Sequence, residues 1–418
     1  MLTISCDNRI EDIYRFSRES TQSKSYPIYL DMNEIEIVKV KEAAPIVSPF
    51  KIVSNERYYF VGEMLKGIHV YEKKSGGVNY LCFVECQFMK AFDVIDGYLF
   101  CNNFIDLVVL DVNNPLQTRV LHRQKNHFNQ YRDFIVDWNI PYNDKKGCIV
   151  GEYIHTITGP VTETNTDLDF SEADKLYENL TTKEIPKTWA SDYPERDKPY
   201  VGIARVGQNE IYTSGMLNNW AICTYQSGSF NVREEYGWSR LGRYDTPDYI
   251  YSAPPVDIFM KDQNLYVQGV FSGGKIGYIE AILPDVEAEY GYLIFPKVIP
   301  IDITYMSELK AFFYLDGKSI YGAFIDRDNI YSVIEMYKDY QIPTNALGIE
   351  RIGAHLVTLG VDGLAIYLPG ENGIEFVKEY PDIAGKCYLK EANMLIIANA
   401  DGLFLYDIED VEEIKPIL

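Results

Sequence analysis

The chain is 418 residues long, 47% hydrophobic and 14% aromatic, with 34 Tyr against four Trp. That is ample apolar material for a large core, yet no run of roughly 18 or more apolar residues could cross a bilayer as a helix. The formal net charge of −22 (39 Lys+Arg against 61 Asp+Glu) repels phosphate backbones, so no nucleic-acid partner is expected.

The chain begins Met1-Leu-Thr-Ile-Ser-Cys6-Asp7, and a polar stretch continues to about Ser25. A small residue ahead of a Cys that opens a polar segment is similar to the end of a bacterial lipoprotein signal, which makes Cys6 a candidate lipidation site. No basic n-region and no full apolar h-region precede it, so an ordinary unmodified start stays open. On the lipoprotein reading, residues 1–26 are a tether and 27–418 the folded body. The other cysteines are Cys82, Cys86, Cys101, Cys148, Cys223 and Cys387, and they form no close-paired metal pattern. Cys82 and Cys86 lie in a strand-like run, roughly 13 Å apart on an extended chain, too far for a disulfide. These cysteines read as small buried apolar residues and leave the redox compartment undecided.

A repeat organises most of the rest. Lys66-Gly-Ile-His-Val-Tyr71 and Asp106-Leu-Val-Val-Leu-Asp111 follow one another at a spacing of 39 residues, from Gly67 to Asp106. Asp362-Gly-Leu-Ala-Ile-Tyr367 and Asp401-Gly-Leu-Phe-Leu-Tyr406 repeat that spacing of 39 at the other end of the chain. Another short apolar run precedes each copy: Tyr58–Val61, Tyr98–Cys101, His355–Thr358 and Met394–Ile397. Weaker copies fill the middle, at Trp220–Tyr225, Ile276–Ile279 and Ile320–Phe324. Short β-branched and aromatic runs separated by Gly, Asn, Asp and Pro are strands joined by tight turns. Units of about 40–45 residues with this content are propeller blades. The expected fold is all-β, a β-propeller of about seven blades of three to four antiparallel strands. Six or eight blades remain open, because one long insertion has room for a degenerate blade.

That insertion spans 124–198 and carries Trp138, Trp189 and a helical stretch from Ser171 to Asn179. Ser171 is the expected cap, with Asp174 at the capping-box position. Asp167, Asp169 and Glu172 form an acidic tip that lacks the Gly of a calcium loop, so no metal and no other cofactor is expected. Of the five His, His69 and His355 fall inside repeat strands, while His122 and His127 flank the start of the insertion. A second aromatic segment, Tyr236–Tyr251, mixes Trp238, Tyr244, Tyr249 and Tyr251 with Arg240 and Arg243. Such a composition suits a sugar ring or a protein surface. No nucleophile elbow, phosphate loop or His-Glu-x-x-His stands in the chain.

Ile105-Asp-Leu-Val-Val-Leu-Asp-Val-Asn-Asn-Pro115, together with Lys66–Val70, Phe92–Val94 and Tyr98–Phe100, resembles the LVIVD repeat of Bacteroidota propeller lipoproteins. The last two repeats follow the same pattern. The resemblance transfers no catalytic residue. It implies a propeller tethered to a membrane surface outside the cytoplasm, by a lipid anchor only, at the outer membrane or cell surface. The expected function is therefore non-catalytic binding of an envelope protein or an extracellular ligand. Insertion 124–198 and the aromatic segment would form the binding surface. The alternative is an extracellular glycan hydrolase or lyase with carboxylates in the propeller funnel.

Overall fold

A computed structural model describes residues 18–125, 127–128, 147–161, 166–178, 180, 201–206, 208–216, 219–226, 228–235, 255–261, 264–270, 277–282, 291–295, 300–309, 311–325, 333–335, 340–342, 345–370 and 373–417. Seven antiparallel sheets follow one another along the chain, each a meander in which sequential strands pair. They occupy residues 49–85, 92–124, 202–235, 255–295, 302–335, 346–380 and 387–416, and are called blades 1 to 7. Blade 1 gains an outer fifth strand, Lys39–Lys41, and in blade 5 a short strand, Tyr340–Gln341, joins the third. Each blade touches the next, and blade 7 touches blade 1, so the seven sheets close into a ring. This is the seven-bladed β-propeller that the repeat spacing implies.

The repeat motifs mark equivalent strands. Gly67–Lys74, Asp106–Asp111, Asn219–Gln226, Gly277–Ile282, Ser319–Ile325, Gly363–Gly370 and Gly402–Asp407 are the third strands of blades 1 to 7. Second and third strands read as continuous apolar runs because a neighbouring blade covers each face of the sheet. Every residue of Tyr58–Glu63 is buried. Side chains alternate between faces along a strand. Phe60, Ile68 and Val70 therefore pack on Phe92, Leu99, Cys101 and Leu110 of blade 2. Their neighbours Tyr59, Val61 and Tyr71 pack on Cys387, Ile396, Ala398 and Leu403 of blade 7.

The described residues of 1–34 and 135–186 form a second compact unit. Arg18–Leu30 pairs antiparallel with Cys148–Val161, with a register shift at Ile28/Tyr29. One face of this ribbon is a hydroxyl ladder, Thr21 to Thr158 at 2.9 Å and Ser23 to Thr156 at 2.8 Å. On the other, Tyr26, Tyr153 and His155 gather around Tyr177 of the helix Ser171–Tyr177, with ring centroids 4.4–5.6 Å away.

Two expectations change here. The tether assigned to 1–26 meets a strand from Arg18 onward, in which Thr21 and Ser23 on one face alternate with Gln22, Lys24 and Tyr26, which bond to residues 166–174. The helix is where the sequence puts it, but Ser171 does not cap it. The Asp169 carboxylate accepts the Ser171 amide at 2.9 Å, which holds that carboxyl below its usual range. Asp174 instead takes Lys24 at 2.6 Å and the Tyr26 hydroxyl at 2.7 Å. No helix among the described residues is long and apolar enough to cross a membrane.

Ile396 is fully buried where blade 7 meets blade 1. Truncating it to Ala leaves a cavity in the closing contact and should cost roughly 2–5 kcal/mol. The shift of the urea unfolding midpoint measures that loss.

Candidate functional site

First strands touch one another around most of the ring, between blades 1 and 2, 2 and 3, 3 and 4, 5 and 6, 6 and 7, and 7 and 1. They line the ring's centre, and among the described residues charged side chains from them meet there in two places with one bonding pattern. In the first, Lys51 of blade 1 donates to Asp93 Oδ2 of blade 2 at 3.1 Å and to the Ile203 carbonyl of blade 3 at 3.0 Å. Asp93 Oδ1 accepts the Val94 amide at 2.8 Å and Oδ2 the Arg205 amide of blade 3 at 3.0 Å. In the second, Lys261 of blade 4 donates to Asp302 Oδ2 of blade 5 at 2.8 Å and to the Ile349 carbonyl of blade 6. Asp302 Oδ1 accepts the Ile303 amide at 2.8 Å and Oδ2 the Ile349 amide at 2.9 Å. Each Lys thus spans three consecutive blades, and each Asp fastens the next blade's innermost backbone.

The second cluster is the larger. Lys261 donates to the Tyr388 hydroxyl of blade 7 at 2.9 Å, and that hydroxyl donates to Asp302 at 3.0 Å. Glu350 lies 3.7 Å from Lys261 and 3.9 Å from Lys390. Tyr388 reaches the cluster over Gly348, where a Cβ would stand 2.1 Å from its ring. Each Asp accepts two amides and an ammonium, which takes up most of its lone pairs inside the protein. Chemically, this arrangement locks inner strands together more readily than it presents a free acid or base to a ligand.

The ends of the blades supply the other candidate surface. Four antiparallel strands separate the start of blade 3 at Gly202 from its end at Glu235. An even number of passes returns the chain to the face it started from. Insertion 124–198 and the aromatic segment 236–251 are therefore attached to blade 3 at the same face of the ring. The chain also leaves blade 2 at this face, after Gln124. There Phe128 donates its amide to Ile105 at 2.8 Å. His127 is buried and shares a 2.8 Å hydrogen bond with Thr213 of blade 3. Loss of solvent pushes the His127 ring down to about 4.

The same face is tied down between blades 1 and 2. Asn102 Oδ1 accepts the Lys90 and Ala91 amides at 2.7 and 2.9 Å, and its Nδ2 donates to Phe88 and Phe104 at 2.8 and 3.1 Å. Asn103 donates to Ile35 and Gln87.

The residues singled out from sequence, Cys6, Trp138, Trp189, Trp238, Arg240, Arg243, Tyr244, Tyr249 and Tyr251, lie outside the described residues. Lys51, Asp93, Lys261, Asp302, Glu350 and Tyr388 escaped sequence reasoning. Each looks like an ordinary strand residue, and nothing local signals that partners tens of residues away converge on it. The acidic tip around Asp169 is used to hold the helix start.

The class defined by fold and centre is an all-β propeller of seven blades. No family model matches the chain, and no curated protein matches it. Among solved structures it is similar to a chain of the mitotic checkpoint complex, with 10% identity and a TM-score of 0.49, covering 89% of this chain and 95% of that one. It is also similar to virginiamycin B lyase from Staphylococcus aureus, with 13% identity and a TM-score of 0.42, covering 88% and 98%. A third likeness is to apo AztD from Citrobacter koseri, with 8% identity and a TM-score of 0.41, covering 80% and 86%.

Lys261 and Asp302 are largely buried, with side-chain exposures of 11% and 17%. Lys261→Met should cost about 3 kcal/mol, since it strands the carboxylates beside it. Adding Asp302→Asn to that variant should cost less than Asp302→Asn alone, and a double-mutant cycle by urea unfolding reads the coupling.

His127 gives a pH dependence. Its folded pKa lies below the unfolded value, so the unfolded chain takes up the proton first. The stabilisation is complete above about pH 6.5. It is lost as pH falls through the folded value of about 4. His127→Gln should flatten the fall in Tm between pH 7 and pH 5.

Proposed function

We propose that this chain is a non-catalytic propeller of the cell envelope that holds a protein partner or an extracellular ligand on one face of the ring. The observation that carries this reading is topological. The two largest departures from the repeat, 124–198 and 236–251, join blade 3 at one face, because four strands lie between them. Blade strands must stay regular to stack, so added recognition is placed in connections. The aromatic and Arg content of 236–251 gives contact area at low entropic cost. The glycan-hydrolase alternative needs carboxylates in the centre that are free to act. Asp93 and Asp302, by contrast, are each engaged by a Lys and two amides.

On the same reading the chain is a divergent LVIVD-type propeller lipoprotein anchored through Cys6. Support comes from the motifs at 66–71, 105–115, 362–367 and 401–406, which fall in third strands and the turn after one of them. The test uses native full-length protein from its own membranes. Chemical crosslinking and capture should recover one recurrent partner. Trp238→Ala combined with Arg240→Ala and Arg243→Ala should lose that partner with Tm unchanged. Mass spectrometry should find Cys6 acylated. Unchanged capture by the triple variant removes the face assignment, and a free Cys6 thiol in a soluble fraction removes the anchor.

A further inference from the structure

We propose that Cys86 and Cys101 form a latent disulfide, a buried dithiol that closes into one covalent tie between blades 1 and 2 when the chain folds in the presence of a disulfide oxidant. Cys86 follows directly on the last strand of blade 1, Gly77–Glu85, and Cys101 lies in the second strand of blade 2, Tyr98–Asn103. Their sulfurs are 3.8 Å apart and both residues are fully buried. An S–S bond is about 2.05 Å long, so each sulfur has to move by less than about 1 Å.

The backbone around the pair is already fixed. The Cys86 amide donates to Lys66 at 2.9 Å, and the next residues of this connection, Phe88, Lys90 and Ala91, are gripped by the side chain of Asn102, the neighbour of Cys101. Two other cysteines of the ring have different partners. Cys82 Sγ points to the Pro115 carbonyl at 3.6 Å, and Cys223 Sγ to the Thr213 hydroxyl at 4.0 Å.

The chemistry is thiol–disulfide exchange. One cysteine, as its thiolate, attacks oxidised glutathione and releases one reduced glutathione. The second then attacks the mixed disulfide and releases the other. The two cysteines lose two protons and two electrons, and the oxidant becomes two thiols. Burial seals both sulfurs from reagents in the finished ring, so the exchange belongs to the folding chain or to an opened seam between blades. The same burial then shields the bond from reductant.

The experiment refolds denatured full-length chain, produced without acylation so that Cys6 carries a thiol, in a glutathione redox buffer and, in parallel, in excess reductant. Non-reducing digestion with trypsin and a glutamate-specific protease separates Cys86 from Cys101 at Lys90 and from Cys82 at Glu85. The expected result is a linked Cys86–Cys101 peptide from the oxidised sample alone, five remaining thiols out of seven cysteines, and a Tm higher by a few degrees. Resistance to reductant should persist until the protein is denatured. Cys86→Ala and Cys101→Ala should each lose the linked peptide and the gain in Tm. If either variant fails to refold, the wild-type peptide map decides. Seven free or glutathionylated thiols, a link between other cysteines, or a linked form with lowered Tm overturns the proposal.

Discussion

The structure depends on closing the ring at the contact of blade 7 with blade 1. Both blades are built from contiguous chain, and no strand is exchanged between them. Side chains therefore do all the closing. Tyr59, Val61 and Tyr71 pack on Ile396, Ala398, Leu403 and Leu405. At one rim Lys73 grips Glu391 at 2.8 Å while lying over the Tyr59 ring at 4.4 Å. Burial and the Glu391 carboxylate push the Tyr59 phenol well above its usual range. Elsewhere on the seam Lys386 donates to the Val47 carbonyl at 3.0 Å. The buried Glu63 accepts the amides of Val47 and Ser48 at 3.1 and 2.7 Å, which seats the lead into the first strand. Burial raises the nearby Cys387 thiol, and the Glu63 carboxylate adds to that rise.

A closed ring then makes the centre a place of forced proximity. Innermost strands from different blades come close enough that charges on them must pair or stay hydrated. Two Lys–Asp clusters with the same bonding pattern resolve this. Because each reaches across three blades, the clusters couple neighbours that the sheets themselves do not link. Taking charges out of water makes such pairs weak sources of net stability but costly to break.

The face where the chain leaves blade 2 stores backbone strain as well. Leu65, Phe88 and Phe104 have φ of 62°, 59° and 57°, which bulky residues adopt at a cost of roughly 1–2 kcal/mol each. All three are buried. Leu65 donates its amide to Met89, and Phe88 donates back to Leu65, both at 2.8 Å. The Phe88 and Phe104 rings meet at 5.6 Å. Burial of three large side chains and these hydrogen bonds offset the strain, so blades 1 and 2 present a rigid edge beside the departing chain.

By itself the sequence determined the strands and their grouping. A 39-residue spacing of Gly/Asp-led apolar runs suffices, because covering both faces of a small sheet requires a continuous apolar pattern. It also located the helix at Ser171, since that signal is local. The tertiary structure decided the rest. Lys261 meets Asp302 across 41 residues and Tyr388 across 127, and Cys86 meets Cys101 only because blade 1 stacks on blade 2. Even at the helix start the Ser171 amide is held by Asp169, two residues earlier in the chain, while Asp174 at the expected capping-box position is taken by Lys24 and Tyr26. Local periodicity reports what a residue's own strand needs. Which strands then become neighbours follows from ring closure, and no short stretch of sequence encodes that.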